Sequence, residues 1–185
     1  MKIGKGQVDR YLDKTEAGEI LAEAFEQVDL AGKHALVIIP DSTRTAPIPM
    51  MFRLFHELLK DEVAKLDFLV ALGTHPLMSR EALDRLVGIT EKERTTTFAD
   101  VGLLNHRWDL PETFATIGTL PETDIEAITD GMLSMNVPVT VNRRVLDADI
   151  VIVCGPVFPH EVAGFSGATK YFFPGVSGPE VINFT

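Results

Sequence analysis

Three largely apolar runs constrain this chain more than any other feature: Ala35–Ile39, Leu66–Leu72 and Ile150–Cys154. Each is about the length of a strand and shows no clean in–out alternation, the pattern of a strand covered on both faces, as in a parallel sheet. Pro40 and Gly73 close the first two, and a polar loop and a helical pattern follow each. Over Met50–Lys60, Met51, Leu54, Phe55 and Leu58 share one helical face, and Ser79 is placed to cap a helix over Glu81–Val87. Repeated strand–loop–helix units predict an α/β domain, three-layered and Rossmann-like, with a mostly parallel sheet and helices on both faces.

The flanking segments read less sharply. Asp13, with Glu16 three residues on, forms a capping box for a helix reaching about Val28, with Ile20, Leu21, Ala24 and Phe25 on its apolar face. Between Thr90 and Thr129 the pattern predicts short strands over Phe98–Val101 and Phe114–Ile117 and a turn over Asn105–Asp109. A helix over Asp124–Met132 follows. Val137–Val141 alternates like an edge strand, where Pro138 is tolerated. His106 and Arg107 are candidate site residues, with plain surface residues as the favoured alternative, and His56 is expected to pack beside the apolar face of its helix.

A chain of 185 residues suits a single α/β domain over 1–185. Its formal charge of -10 argues against a nucleic-acid partner or an anionic membrane surface. Cys154 is the only cysteine, so no internal disulfide forms and a reducing cytoplasm is expected. Inside an apolar run it reads as an inert core thiol. No stretch is long and apolar enough for a membrane span, and the N-terminus has no apolar signal core. The apolar ending Val181–Thr185 is unlike a domain boundary, so the chain is read as the N-terminal part of a longer two-domain protein.

In open parallel sheets ligands collect at the carboxyl ends of the strands. That rule brings Asp41–Arg44, Thr74–His75 and His160–Lys170 to one rim. The small residues Gly164, Ser166, Gly167 and Ala168 let backbone approach a ligand closely. A helix starting after them would favour an anion, with Lys170 as a point charge or a covalent anchor. There is no P-loop signature. The segment Gly164–Ala168 lacks the final glycine of a nucleophile elbow and stands too far from the preceding strand. Two histidines without carboxylate neighbours make a weak zinc site. Two histidines flanking a carbon do suit proton exchange on mirror-image hydroxyl substrates, and an arginine suits clamping a carboxylate. A hydride acceptor is then missing, since no amino acid supplies one.

The motifs Asp41-Ser-Thr-Arg44, Gly73-Thr-His75 and His160-x4-Phe165-Ser-Gly-x2-Lys170-x3-Pro174-Gly175 resemble, in this order, the N-terminal domain of the nickel-dependent lactate racemase family. The last motif is the specific one. The resemblance implies a nickel-pincer nucleotide that accepts a hydride from C2 of a 2-hydroxy acid and returns it on either face. By the same resemblance Lys170 anchors the cofactor, His75 and His160 are the acid/base pair, and Arg44 orients the substrate carboxylate. Asp41 and Thr43 belong to Arg44's motif, and Ser166 and Gly167 are expected as cofactor contacts. The family also implies a C-terminal domain closing over the site and proteins that mature the cofactor. A fragment without that domain is expected to be inactive.

There are departures: Ala168 stands where the family commonly has glycine, and no histidine follows Lys170 to serve as the family's nickel ligand. No metal ligand is therefore assigned within the chain. The alternatives are a non-catalytic nucleotide- or anion-binding domain using the glycine-rich loop and Lys170, or a cofactor-free hydrolase using the two histidines.

Overall fold

The computed structural model describes residues 2–160 and 164–184. Residues 161–163, inside the His160–Gly175 motif, lie outside it. The three apolar runs become β1 (His34–Ile39), β2 (Lys65–Val70) and β6 (Ile150–Val153), joined by an edge strand β3 (Val101–Asn105). All four are parallel, in the order β3-β2-β1-β6. This is the expected α/β architecture. β2 is shorter than its apolar run because Ala71 and Leu72 turn into the loop, although the Ala71 N–H still donates to the Ile39 carbonyl at 2.9 Å.

One face of the sheet carries α1 (Lys14–Phe25), α2 (Ile48–Leu59) and α3 (Arg80–Val87). Asp13 and Glu16 form the anticipated capping box of α1, which ends at Phe25 rather than near Val28. Ser79 caps α3 by accepting the Ala82 N–H at 3.2 Å. Phe52, Phe55 and Phe68 interlock beneath α2, with ring centroids 4.7 Å (Phe52–Phe68) and 6.1 Å (Phe55–Phe68) apart. Aromatic pairs at such separations add to the burial energy that seats a helix on its sheet. His56 packs edge-on against Phe98 at 4.7 Å, as expected of a half-buried histidine.

The opposite face, Leu36, Ile38 and Leu69, is covered by shorter pieces. These are Val145 on the one-turn α6 (Arg144–Asp147), together with Tyr171, Phe172 and Val176. Tyr171 ends a 3-10 turn over Ala168–Tyr171. A helix following the glycine-rich loop would have offered its N-terminus to an anion; this single turn stands there instead and offers none.

The middle of the chain departs most from its sequence reading. Phe98 is not in a strand: it follows a short helix, α4 (Glu91–Thr95), and fills the core beside Phe52. The strand begins at Val101 instead. β4 (Phe114–Leu120) and β5 (Val137–Asn142) form a separate antiparallel ribbon bridged by α5 (Glu122–Ile128), with Pro138 exposed. A second small ribbon pairs β7 (Phe158–His160) with β8 (Gly164–Ser166), and α7 (Pro179–Phe184) packs on β5. Among the described residues no helix is long and apolar enough to cross a membrane.

Candidate active site

After β1 the chain steps outward to β2 and β3, then returns to the other side of β1 as β6. The loops leaving β1 and β6 therefore diverge, and a crevice opens at the carboxyl ends where the strand order reverses. A cleft of about 200 Å³ occupies this place. Asp41, Thr43 and Arg44 line it from the loop after β1, and Gly73, Thr74 and His75 from the loop after β2. Ser166, Gly167, Lys170, Tyr171, Pro174 and Gly175 line it from the segment beyond β6.

Asp41 organises the first loop. It is 7% exposed, which for a carboxylate demands partners. One oxygen, Oδ1, accepts the Thr43 hydroxyl at 2.5 Å and the Thr43 N–H at 3.1 Å. The other, Oδ2, lies 2.6 Å from Nδ1 of His75. Burial alone would raise the Asp41 carboxyl. The Thr43 hydroxyl, the His75 ring and the Thr43 N–H outweigh it and hold the group below the ordinary aspartate value. An ionised carboxylate only accepts, so Nδ1 of His75 carries a proton, and whenever the ring is neutral its Nε2 keeps the lone pair. The His75 side chain remains half exposed.

The loop bearing His75 is fixed by its backbone. Gly73 takes a φ of +55°, which glycine adopts cheaply, and its N–H donates to the Gly175 carbonyl at 2.9 Å. The His75 N–H donates to the Leu72 carbonyl at 2.8 Å, and the His75 carbonyl accepts the indole N–H of Trp108 at 2.9 Å. The loop after β2 is thus tied to the wall that carries Lys170 and to the turn after β3.

Gly167 has a φ of +96°, and a Cβ there would come within 2.5 Å of the Pro156 carbonyl. Only glycine fits. Ser166 is buried at the end of β8, where it pairs with Phe158. The Arg44 guanidinium lies over the Phe158 ring, 5.8 Å from its centroid, so this ribbon backs the arginine. His160 is placed differently. It sits on β7 opposite Gly164 and is not among the described residues lining the cleft. By the alternation of a strand it shares the ribbon face with Phe158.

Beneath the cleft Cys154 is buried and its thiol is pushed up to about 11 by that burial, which makes it an inert core residue as expected. Burial, and then the neighbouring Cys154, push the Tyr171 phenol up to about 12, so it stays neutral. Among the described residues no group of three or more His, Cys, Asp or Glu is arranged to hold a metal ion.

Two residues near the site escaped the sequence reading. His106, expected at the surface, is fully buried. Its Nδ1 lies 3.0 Å from the Asn142 amide and its Nε2 lies 3.2 Å from the Ser177 carbonyl. Burial, only partly offset by the Ser177 carbonyl, lowers it to about 4, so the ring is neutral near pH 7. Trp108, read as a turn aromatic, is the donor to His75. A polar turn between weak strands gave no periodicity by which either could be found.

The whole arrangement has known counterparts. The model of the lactate racemase N-terminal domain matches residues 5–184. The lactate racemase of Thermoanaerobacterium thermosaccharolyticum is 30% identical over 166 residues, 83% of this chain and 33% of that protein. A solved structure of a Thermotoga maritima protein superposes with a TM-score of 0.81 at 31% identity, covering 93% of this chain and 40% of that one. The lactate racemase apoprotein from T. thermosaccharolyticum gives a TM-score of 0.62 at 25% identity, over 82% of this chain and 33% of that one. The chain thus spans about a third of the curated relative it matches. With its sheet order, its rim motifs and this match along nearly its whole length, the chain belongs to the lactate racemase N-terminal domain family.

Proposed function

We propose that this domain carries the proton-transfer and anchoring groups of a racemase or epimerase acting on a 2-hydroxy acid. The observation behind it is the Asp41–His75 pair in the same cleft as Arg44 and Lys170. An oriented imidazole, a guanidinium and an amine around one small cleft are the groups that a hydroxy acid and a covalently held cofactor require.

The donor set fits the organic part of a nickel-pincer nucleotide. Lys170 would hold it covalently, and Thr43, Ser166 and the Gly167 backbone would meet its polar groups. When bound, such a group supplies the hydride acceptor that side chains lack. The described residues contain no metal-binding cluster, so the metal's protein ligand is not assigned to them.

The chain's own residues do the rest. Arg44, backed by Phe158, receives the substrate carboxylate through paired N–H donors. Nε2 of His75 takes the hydroxyl proton, and Asp41 stabilises the resulting imidazolium through Nδ1. When the hydroxyl is restored, His75 gives the proton back. His160, on the ribbon that backs Arg44, serves the opposite enantiomer, which requires the β7–β8 ribbon to bring it toward the substrate. Segments outside residues 1–185 would read the far end of the substrate, so we expect the domain alone to be inactive.

The test uses the full-length protein matured with the cofactor pathway. A mass increase on the peptide containing Lys170, with interconversion of 2-hydroxy-acid enantiomers by chiral chromatography, is expected. Lys170→Ala should lose both. A matured protein with no adduct and no isomerisation across a panel of 2-hydroxy acids would overturn the reading.

A further inference from the structure

We infer that Trp108 is a positioning residue for His75, acting through the backbone of the loop after β2. The inference rests on the proposed proton-transfer role of His75. The N–H of a half-exposed indole can be satisfied by water and needs no protein acceptor. Trp108 is 39% exposed, yet its Nε1–H donates instead to the His75 carbonyl, at 2.9 Å. His75 is therefore held at three points: its N–H on the Leu72 carbonyl, its carbonyl by Trp108, and its Nδ1 by Asp41.

The indole can act as a fixed donor because its own turn is fixed. Two residues earlier, buried His106 is bonded to Ser177 and Asn142, and the His106 N–H continues the β2–β3 ladder to the Val70 carbonyl at 3.2 Å. One residue on either side, Arg107 and Asp109 close the turn with a two-pronged ion pair at 2.8 and 2.7 Å. The Trp108 N–H bonds back to the His106 carbonyl at 2.9 Å. The exit of β3, which contributes nothing to the cleft lining, thus reaches across to set the backbone from which the imidazole projects. An imidazole so held keeps one tautomer and one direction; released at its carbonyl, the loop can swing Nδ1 away from Asp41 and sample the other tautomer.

The experiment is ring-nitrogen NMR of histidine-labelled protein at alkaline pH, where the imidazole is neutral, comparing wild type with Trp108→Phe and Asp41→Asn. Phenylalanine keeps an aromatic ring and removes only the indole donor. In the wild type, His75 should show a protonated Nδ1 and a bare Nε2. In Trp108→Phe its two nitrogen shifts should move toward each other, while the signals of His106 stay in place. The unchanged His106 signals separate a local release from partial unfolding. Asp41→Asn should produce the same averaging. If Asp41→Asn averages the tautomers and Trp108→Phe leaves His75 superimposed on the wild type, the positioning role is overturned and the Asp41–His75 pair stands. If neither variant moves His75, the pair itself fails, and the inference fails with it.

Discussion

Oδ2 of Asp41 and Nδ1 of His75 stand 2.6 Å apart, across two loops that leave neighbouring parallel strands. The same carboxylate accepts two bonds from Thr43 through its other oxygen. Asp41 therefore acts as a hub that joins two strand exits around one oriented imidazole.

Asp41→Asn keeps the size of the side chain but turns an acceptor-only group into one that also donates. In the proposed reaction the imidazolium formed on His75 would lose its counter-charge. On that reading, kcat of the matured full-length protein should fall by about 10²-fold or more, the range ascribed to a positioned acid/base group. Steady-state kinetics with either enantiomer checks this; an unchanged kcat removes the Asp41 carboxylate from the proposed chemistry.

His106 makes stability depend on pH. Its folded-state value, about 4, lies below that of an unfolded histidine, so between the two the unfolded chain binds more protons. Its contribution is complete above about pH 6.5 and is lost as pH falls toward 4. The loss is on the order of 3 kcal/mol. Urea unfolding at stepped pH should show this slope. His106→Gln, which keeps a donor for the Ser177 carbonyl but cannot ionise, should flatten it.

Ala168 sits at a φ of +46°, a left-handed conformation that costs a residue with a Cβ about 1–2 kcal/mol. Glycine there removes that cost but loses more chain entropy on folding. Ala168→Gly should therefore raise stability by up to about 1 kcal/mol, or Tm by roughly 2–4 °C. A fall in Tm on thermal melting would show the alanine methyl to be making contacts that matter more than the backbone.

Gly167→Ala should act in the opposite sense. The added methyl would meet the Pro156 carbonyl at 2.5 Å, at a φ of +96°. A loss of about 1–3 kcal/mol in urea unfolding is expected.

The sequence revealed the parts of this domain that are buried on both sides. β1 and β2 are apolar because helices or turns cover each face, β6 is an apolar edge strand of intermediate burial, and the Pro or Gly exits of all three mark the loops that make the rim. β3 was misplaced because it is an edge strand of intermediate burial with Gly102 inside it, whereas Phe98, apolar enough to mimic a strand, fills the core from a turn. Gly102 is needed there because Asp67 occupies the space its side chain would take. The rim motifs around Asp41, His75 and Lys170 were readable because strand-exit position and residue type agreed. His106 and Trp108 were not, since their roles depend on partners at Ser177 and His75 that no local pattern announces.

The reversal of strand order between β1 and β6 also has a consequence for biosynthesis. The loops bearing Asp41 and His75 leave the ribosome early, but the wall that faces them waits for the whole β3–β5 excursion to be translated. The Gly73–Gly175 bond that joins the two halves can form only after Gly175 has been made. Any modification of Lys170 that needs the completed cleft must therefore wait until the chain has been made through Gly175 and this wall has folded against the earlier loops.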